Sequence, residues 1–154
     1  MVPLRDENPV KITPYVTYIL IAANILVFVY ELNLNPNQLD LFFHLFAVVP
    51  QELTASLSGV DLHQGIPEAV TPITSQFLHA GFTHVGFNML FLYIFGNNVE
   101  EQLGRAKFLF FYLSCGILAV MAQWFFSSMS SVPSLGASGA IAGSAGAGLA
   151  SALA

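Results

Sequence analysis

Long apolar stretches separated by polar connectors dominate the chain. The first stretch, YVTYILIAANILVFVYEL, occupies residues 15–32 and approaches the ~20 residues that a helix needs to cross a bilayer. Two comparable stretches and a final stretch of small residues follow, and the pattern predicts membrane helices at about 14–33, 84–99, 107–127 and 137–154. The chain is therefore predicted to be an all-α integral membrane protein, with residues 1–154 forming a single membrane domain.

The connector between the first two predicted helices is much longer than the others. It covers residues 33–83, which is too long for a tight helical hairpin. Within it, LDLFFHLFAVVP at residues 39–50 is apolar but too short to cross a bilayer. This segment predicts an interfacial or re-entrant helix.

The composition supports the membrane assignment. Hydrophobic residues make up 55% of the chain and charged residues only 8%, and the mean hydropathy is +0.69. A typical soluble domain is about 25% charged, so these few charges cannot cover a water-facing surface. The net charge of -5 comes without a basic patch, which argues against a nucleic-acid partner.

The placement of the basic residues predicts the orientation. Two precede the first helix and two lie between the second and third helices: Arg5, Lys11, Arg105 and Lys107. By the positive-inside rule these regions are cytoplasmic, and the connector 33–83, which has no Lys or Arg, lies outside. In the cytoplasmic turn, Glu100 and Glu101 are predicted to form a helix cap or a local ion pair.

This topology places three chemically useful side chains at similar depth near the outer face. They are His84 and Asn88 in the second helix and Ser138 at the start of the fourth. His84 and Asn88 are four residues apart and share a helix face. They are either hydrogen-bonding groups that join helices or a pair of donors aimed at a developing negative charge, an oxyanion hole.

Ser138 also has two interpretations. Gly139 and Gly143 have the G-x-x-x-G spacing of closely packed membrane helices, and a serine fits such a face without any catalytic role. Alternatively, Ser138 is a nucleophile that follows Gly136 at a helix start, where free N–H groups favour an anion.

Metal chemistry is disfavoured. His79 and His84 are five residues apart, and neither an H-E-x-x-H motif nor a nearby carboxylate accompanies them. His44 and His63 are predicted to be surface or interfacial residues of the long connector. No metal site and no cofactor are predicted.

Taken together, the motifs resemble the rhomboid intramembrane serine proteases. The resemblance rests on FLHAGFTHVGFNMLFLYIFGNNVEEQLG followed by SLGASGAIAG. These segments contain an H-x-x-x-N pair, a Gly-x-x-x-Glu turn from Gly96 to Glu100, and G-x-S-G, in that order. The resemblance covers the chain from the first helix through Gly143.

The resemblance implies a bundle of at least six membrane helices that cuts the transmembrane segments of other proteins. Ser138 would be the nucleophile, and His84 and Asn88 would support the oxyanion. Gly136 would let the backbone pack beside the nucleophile, and His79 would have a structural role. The connector 33–83 would be the membrane-embedded loop of the family.

One essential part of the family pattern is missing. Rhomboids have a base histidine on the last membrane helix, whereas all four histidines of this chain precede Ser138. A serine hydroxyl is a weak nucleophile without a base. The long connector also lacks the Trp-Arg pair of many members, and from Ser144 on the small residues no longer resemble the family's core helix.

Three explanations of the missing part remain open. The chain is a fragment of a longer protease truncated after the fourth helix, which we favour, because the serine and both oxyanion residues are retained. It is otherwise a catalytically inactive relative that binds membrane clients, or a structural subunit of a larger membrane complex. The expected partners are transmembrane substrates and membrane lipid, in a bacterial-type plasma membrane or an organelle membrane.

Overall fold

The chain folds into a bundle of helices, as seen in a computed structural model. The structure describes residues 12–60 and 65–152, with side chains up to residue 147. Within these residues no β-strand forms, as predicted. The α-helices are α1 Tyr15–Leu32, α2 Pro36–Phe46, α3 Pro50–Leu57, α4 Thr71–Thr74, α5 Phe82–Phe91, α6 Asn97–Leu103, α7 Arg105–Phe126 and α8 Ser138–Ala152.

Two helices, α1 and α7, are long and apolar enough to cross a membrane. A third candidate is a bent pair, Glu68–Phe77 with Phe82–Leu103, whose halves meet at 83°. The last helix, α8, has 15 residues in the described range, or about 22 Å at 1.5 Å per residue. The all-helical membrane fold is confirmed, and a fourth crossing stays a prediction.

The second predicted helix is longer than the pattern indicated. Helix α5 continues through a π-helical turn, Leu92–Gly96, into α6, so the helix runs over residues 82–103 instead of 84–99. A methyl group built on Gly96 would lie 3.1 Å from Oγ1 of Thr17. The π turn therefore lies in close contact with α1.

The connector 33–83 contains more structure than the single interfacial or re-entrant helix that the sequence predicts. Helix α2 begins with a capping box between Asn35 and Gln38 and ends at Phe46, so the predicted segment 39–50 does not continue as one helix. Instead, Val48 pairs with Ser134 through two backbone hydrogen bonds, of 3.2 and 2.7 Å. The long connector is thereby fastened to the loop that leads into α8.

The hydrophobic core lies where α1, the π turn, α7 and α8 meet. Its buried members are Leu20, Leu92, Val99, Phe108, Tyr112, Ala137, Ala140 and Ile141. The G-x-x-x-G pair faces α7: Gly139 lies against Ala119, and a Cβ on Gly143 would lie 2.5 Å from Sγ of Cys115. Small residues thus let α8 approach α7 closely, as the spacing predicts.

Glu100 caps a helix that lies far from it in the sequence. Its side chain is fully buried and accepts hydrogen bonds from the N–H groups of Val16 and Thr17, at 3.0 and 2.8 Å. The Thr17 hydroxyl donates a third, at 2.8 Å. The carboxylate satisfies free N–H groups at the positive end of α1, and it joins α6 to that helix.

Replacing the Glu100 carboxylate by an amide should destabilise the fold. Glu100→Gln keeps the size of the side chain but places an NH2 group where a buried donor of α1 needs an acceptor. We expect the free energy of unfolding, measured by denaturant titration in micelles, to fall by about 2 kcal/mol. The same change at Asp40, an exposed carboxylate on α2, should have little effect. Equal effects of the two variants would contradict this role of Glu100.

Candidate active site

His84 and Asn88 lie one turn apart on the same side of α5. Asn88 is buried, and His84 is partly buried. Their spacing of four residues brings both side chains to the segment that precedes α8. The structure therefore brings the two residues together, next to the backbone of Gly136.

Gly136 fits this place because it has no side chain. Its φ of 112° lies in the left-handed region that favours glycine. A methyl group built there would lie 2.5 Å from Cε1 and 2.6 Å from Nε2 of His84, and 3.7 Å from Nδ2 of Asn88. The N–H of Gly136 donates to the carbonyl of Ser75 at 2.8 Å. The backbone thus runs directly past both polar side chains.

Ser138 follows two residues later, as the first residue of α8. Its side chain is exposed, whereas Gly139 and Gly143 on the same helix face α7. Ser138 therefore lies outside the face of α8 that packs closely against α7. The sequence alone allowed it to be a small residue of that face. The first N–H groups of α8 lack an intrahelical acceptor, so backbone donors lie beside this hydroxyl.

A hydrogen bond to His84 indicates which of its ring nitrogens is the donor. The N–H of Ala80 points at Nδ1 of His84, at 3.4 Å, so Nδ1 is the acceptor. A neutral imidazole then carries its proton on Nε2, the nitrogen that lies beside Gly136. The donor of the ring is thus directed toward the loop that leads to Ser138.

The amide of Asn88 supplies a second donor at the same place. Its Nδ2 is buried and has no hydrogen-bond partner among the described residues. A buried donor without an acceptor costs ~1–3 kcal/mol, so an acceptor that reaches this atom would be bound favourably. The site therefore contains an available buried donor close to the turn before Ser138.

The ring of His79 packs beside the ring of His84. The His79 ring is almost completely buried and lies 5.1 Å from the ring of His84 and 6.4 Å from that of Phe28, measured between centroids. The backbone N–H of His79 donates to both carboxylate oxygens of Glu31, at 3.3 and 3.4 Å. These contacts join the turn before α5 to the end of α1, and the structural role that the resemblance implies for His79 stays a prediction.

Glu31 and Ser75 contribute to the site but were not singled out from the sequence. Glu31 is a buried acid at the end of α1. The one feature of the sequence that could have indicated a role for it is its position as an acidic residue inside an apolar span. Ser75 contributes through its backbone carbonyl, and nothing in the sequence indicates that this carbonyl accepts a hydrogen bond from Gly136. In the described part of the chain, no group of three or more His, Cys, Asp or Glu residues is arranged to hold a metal ion.

Comparison with known proteins identifies the family. The family model described as "Rhomboid domain" matches residues 67–153, which include His84, Asn88 and Ser138. The chain is 45% identical to rhomboid protease GluP of Bacillus subtilis (strain 168) over 51% of this chain and 14% of that protein. It is 32% identical to YdcA of the same organism, over 91% of this chain and 65% of YdcA.

A plant relative is similar over a wide part of the chain. Rhomboid-like protein 11, chloroplastic, of Arabidopsis thaliana is 31% identical over 79% of this chain and 40% of its own length. The chain thus spans 14% to 65% of the length of these three relatives. No solved structure matches it significantly. Because the family model matches more than half of the chain, this integral membrane protein belongs to the rhomboid family.

Proposed function

We propose that the protein, at full length, is an intramembrane serine endopeptidase that cleaves transmembrane segments of other membrane proteins near the outer face. Membership of the rhomboid family supports this activity. The observation that carries the proposal is the unpartnered Nδ2 of Asn88, which lies with His84 beside the backbone of Gly136. Donors held ready in this way stabilise the charge that develops during acyl transfer.

In this mechanism, Ser138 Oγ attacks the carbonyl carbon of the scissile peptide bond. The hydroxyl proton passes to a base and then to the leaving amine, which leaves an acyl-enzyme. Nδ2 of Asn88, Nε2–H of His84 and the first N–H groups of α8 stabilise the oxyanion of each tetrahedral intermediate. Water attacks the ester in the second half of the reaction and frees Ser138.

The base is the part of the mechanism for which this chain has no candidate after Ser138. We place it on a membrane helix beyond Ala154 in the full-length protein, as the family pattern implies. Residues 1–154 alone would then be inactive, and they would form the first part of a bundle of six or more helices. A catalytically inactive relative or a structural subunit would have no use for the buried Nδ2 of Asn88, which has no partner among the described residues and lies near Gly136.

We also propose the orientation of the chain. The N-terminus and the connection between α6 and α7 would be cytoplasmic, with α2 and α3 outside and α8 as the fourth crossing. The 83° bend between Phe77 and Phe82 would then lie in the outer half of the membrane, next to Ser138. The host membrane would be a bacterial-type plasma membrane or an organelle membrane, because the relatives include a bacterial protein and one named chloroplastic.

The orientation can be tested by cysteine accessibility. In a Cys115→Ser background, a cysteine at Ser58, at the end of α3, should react with a membrane-impermeant maleimide in intact cells. A cysteine at Leu103, at the end of α6, should react only after the cells are permeabilised. The reverse pattern would contradict the cytoplasmic N-terminus.

A fluorophosphonate probe tests the nucleophile. It should label the full-length protein at Ser138, and Ser138→Ala should abolish the labelling, because the probe forms a covalent bond with an activated serine hydroxyl. Ser144→Ala is the matched control: Ser144 is a buried serine of the same helix whose hydroxyl donates to the Ala140 carbonyl, so its loss should leave the labelling intact. A folded full-length protein that does not react would favour the client-binding alternative.

Substitution of either side-chain donor should slow catalysis. We expect His84→Ala and Asn88→Ala each to lower kcat for a transmembrane substrate by about 100-fold or more, because each removes one oxyanion donor. Asn98→Ala provides the control, since the Asn98 amide donates to the Ile94 carbonyl within its own helix. Wild-type turnover in both site variants would refute the oxyanion role.

A further inference from the structure

A buried glutamine fastens the bend beside the site to the middle of α7. Gln76, which is 1% exposed, lies in the short turn Ser75–Phe77 that ends the first half of the bent pair. Its Nε2 donates to the Pro72 carbonyl at 2.9 Å and to the Leu113 carbonyl of α7 at 3.2 Å. One amide thus links two segments that are 37 residues apart in the chain.

Helix α7 has a notch that fits this amide. The notch is formed by Gly116, where a Cβ would overlap the side-chain amide of Gln76 and lie 2.6 Å from Nε2. Because the end of Gln76 rests directly on the backbone of α7, a larger residue at position 116 does not fit there. The glutamine is therefore held by close packing and by the two hydrogen bonds of its Nε2.

The backbone next to Gln76 holds the turn before Ser138. The Ser75 carbonyl accepts the N–H of Gly136 at 2.8 Å. Gly136 in turn lies against the ring of His84 and continues into α8 through the fully buried Ala137. The position of the Ser75 carbonyl thus sets where the Gly136 backbone lies relative to His84 and Asn88.

We propose that Gln76 is a positioning residue for Ser138, acting through the Ser75 carbonyl and the Gly136 amide. Its side-chain amide holds the turn Ser75–Phe77 against α7 through the Leu113 carbonyl. The Ser75 carbonyl then holds the Gly136 backbone at the distance from His84 that the oxyanion site needs. Gln76 itself does not touch the reacting atoms. The catalytic consequence rests on the proposed function, whereas the positioning contact can be measured without any activity.

The direct test is hydrogen exchange at the Gly136 amide. The full-length protein, labelled with 15N-glycine in micelles, would be compared with Gln76→Met, which keeps an unbranched side chain but removes both donors. We expect the Gly136 amide to exchange about 10 times faster in the variant, because the Ser75 carbonyl is no longer held in place. Gln38→Met, the same change in the capping box of α2, should not alter this rate. Unchanged Gly136 exchange in folded Gln76→Met would overturn the proposal.

A second variant removes the same contact from the other helix. Gly116→Ala places a methyl group where the Gln76 amide lies, so it should also accelerate Gly136 exchange. Both substitutions disrupt the same contact between the Gln76 amide and α7. The Gly136 amide of the double variant should therefore exchange no faster than that of the more affected single variant. Additive effects of the two substitutions on Gly136 exchange would contradict the proposal that both act through the Gln76 amide. If Gln76→Met does not fold, Gly116→Ala alone provides the exchange measurement.

The consequence for Ser138 is measured with the fluorophosphonate probe. Gln76→Met should be labelled at least about 10 times more slowly than the parent at a temperature where both are folded, because a misplaced reacting group loses much of its rate. Faster Gly136 exchange with unchanged labelling would overturn the positioning role. If the parent protein is not labelled at all, the proposed protease function fails, while the exchange experiment still decides whether Gln76 holds the turn.

Discussion

The buried carboxylate of Glu100 is the interaction on which the arrangement of the first helices depends. Two N–H groups and one hydroxyl at the start of α1 donate to it, and a helix end inside a membrane protein needs such acceptors. Because Glu100 lies on α6, this cap also fixes how α1 sits against the helix that carries His84 and Asn88. Gly96 lets that helix approach α1 at the π turn.

Close backbone contacts then determine where Ser138 lies. Gly139 and Gly143 let α8 lie close against α7, and Gly116 of α7, which also lies near Gly139, contacts the amide of Gln76. In lipid there is little hydrophobic force between helices, so close packing and internal hydrogen bonds must hold them together. The site is built at the point where three such contacts meet: α7 with α8, α7 with the bend, and the bend with Gly136.

The outer segments add a second layer of support. Val48 pairs with Ser134, and the Thr54 hydroxyl accepts a hydrogen bond from the Trp124 ring at 2.9 Å. The same hydroxyl lies within donating distance of two carbonyls, those of Pro50 at 2.8 Å and Ser128 at 2.9 Å. These bonds attach α3 and the extended residues after α2 to the segment that runs from α7 to α8. Because that segment leads into Gly136 and Ser138, the long connector stabilises the approach to the site from the outer side.

The sequence by itself determined the helical membrane fold, the bounds of α1 and α7 to within about two residues, and the family. Apolar length is a local property, and the H-x-x-x-N and G-x-S-G motifs can be recognised without coordinates. The partner of Glu100, the 83° bend, the end of α2 at Phe46, and the parts played by Glu31, Ser75 and Gln76 required the tertiary structure. Each of these depends on an acceptor or a space supplied by a residue far away in the chain, and no local pattern of hydrophobic and polar positions encodes such a contact.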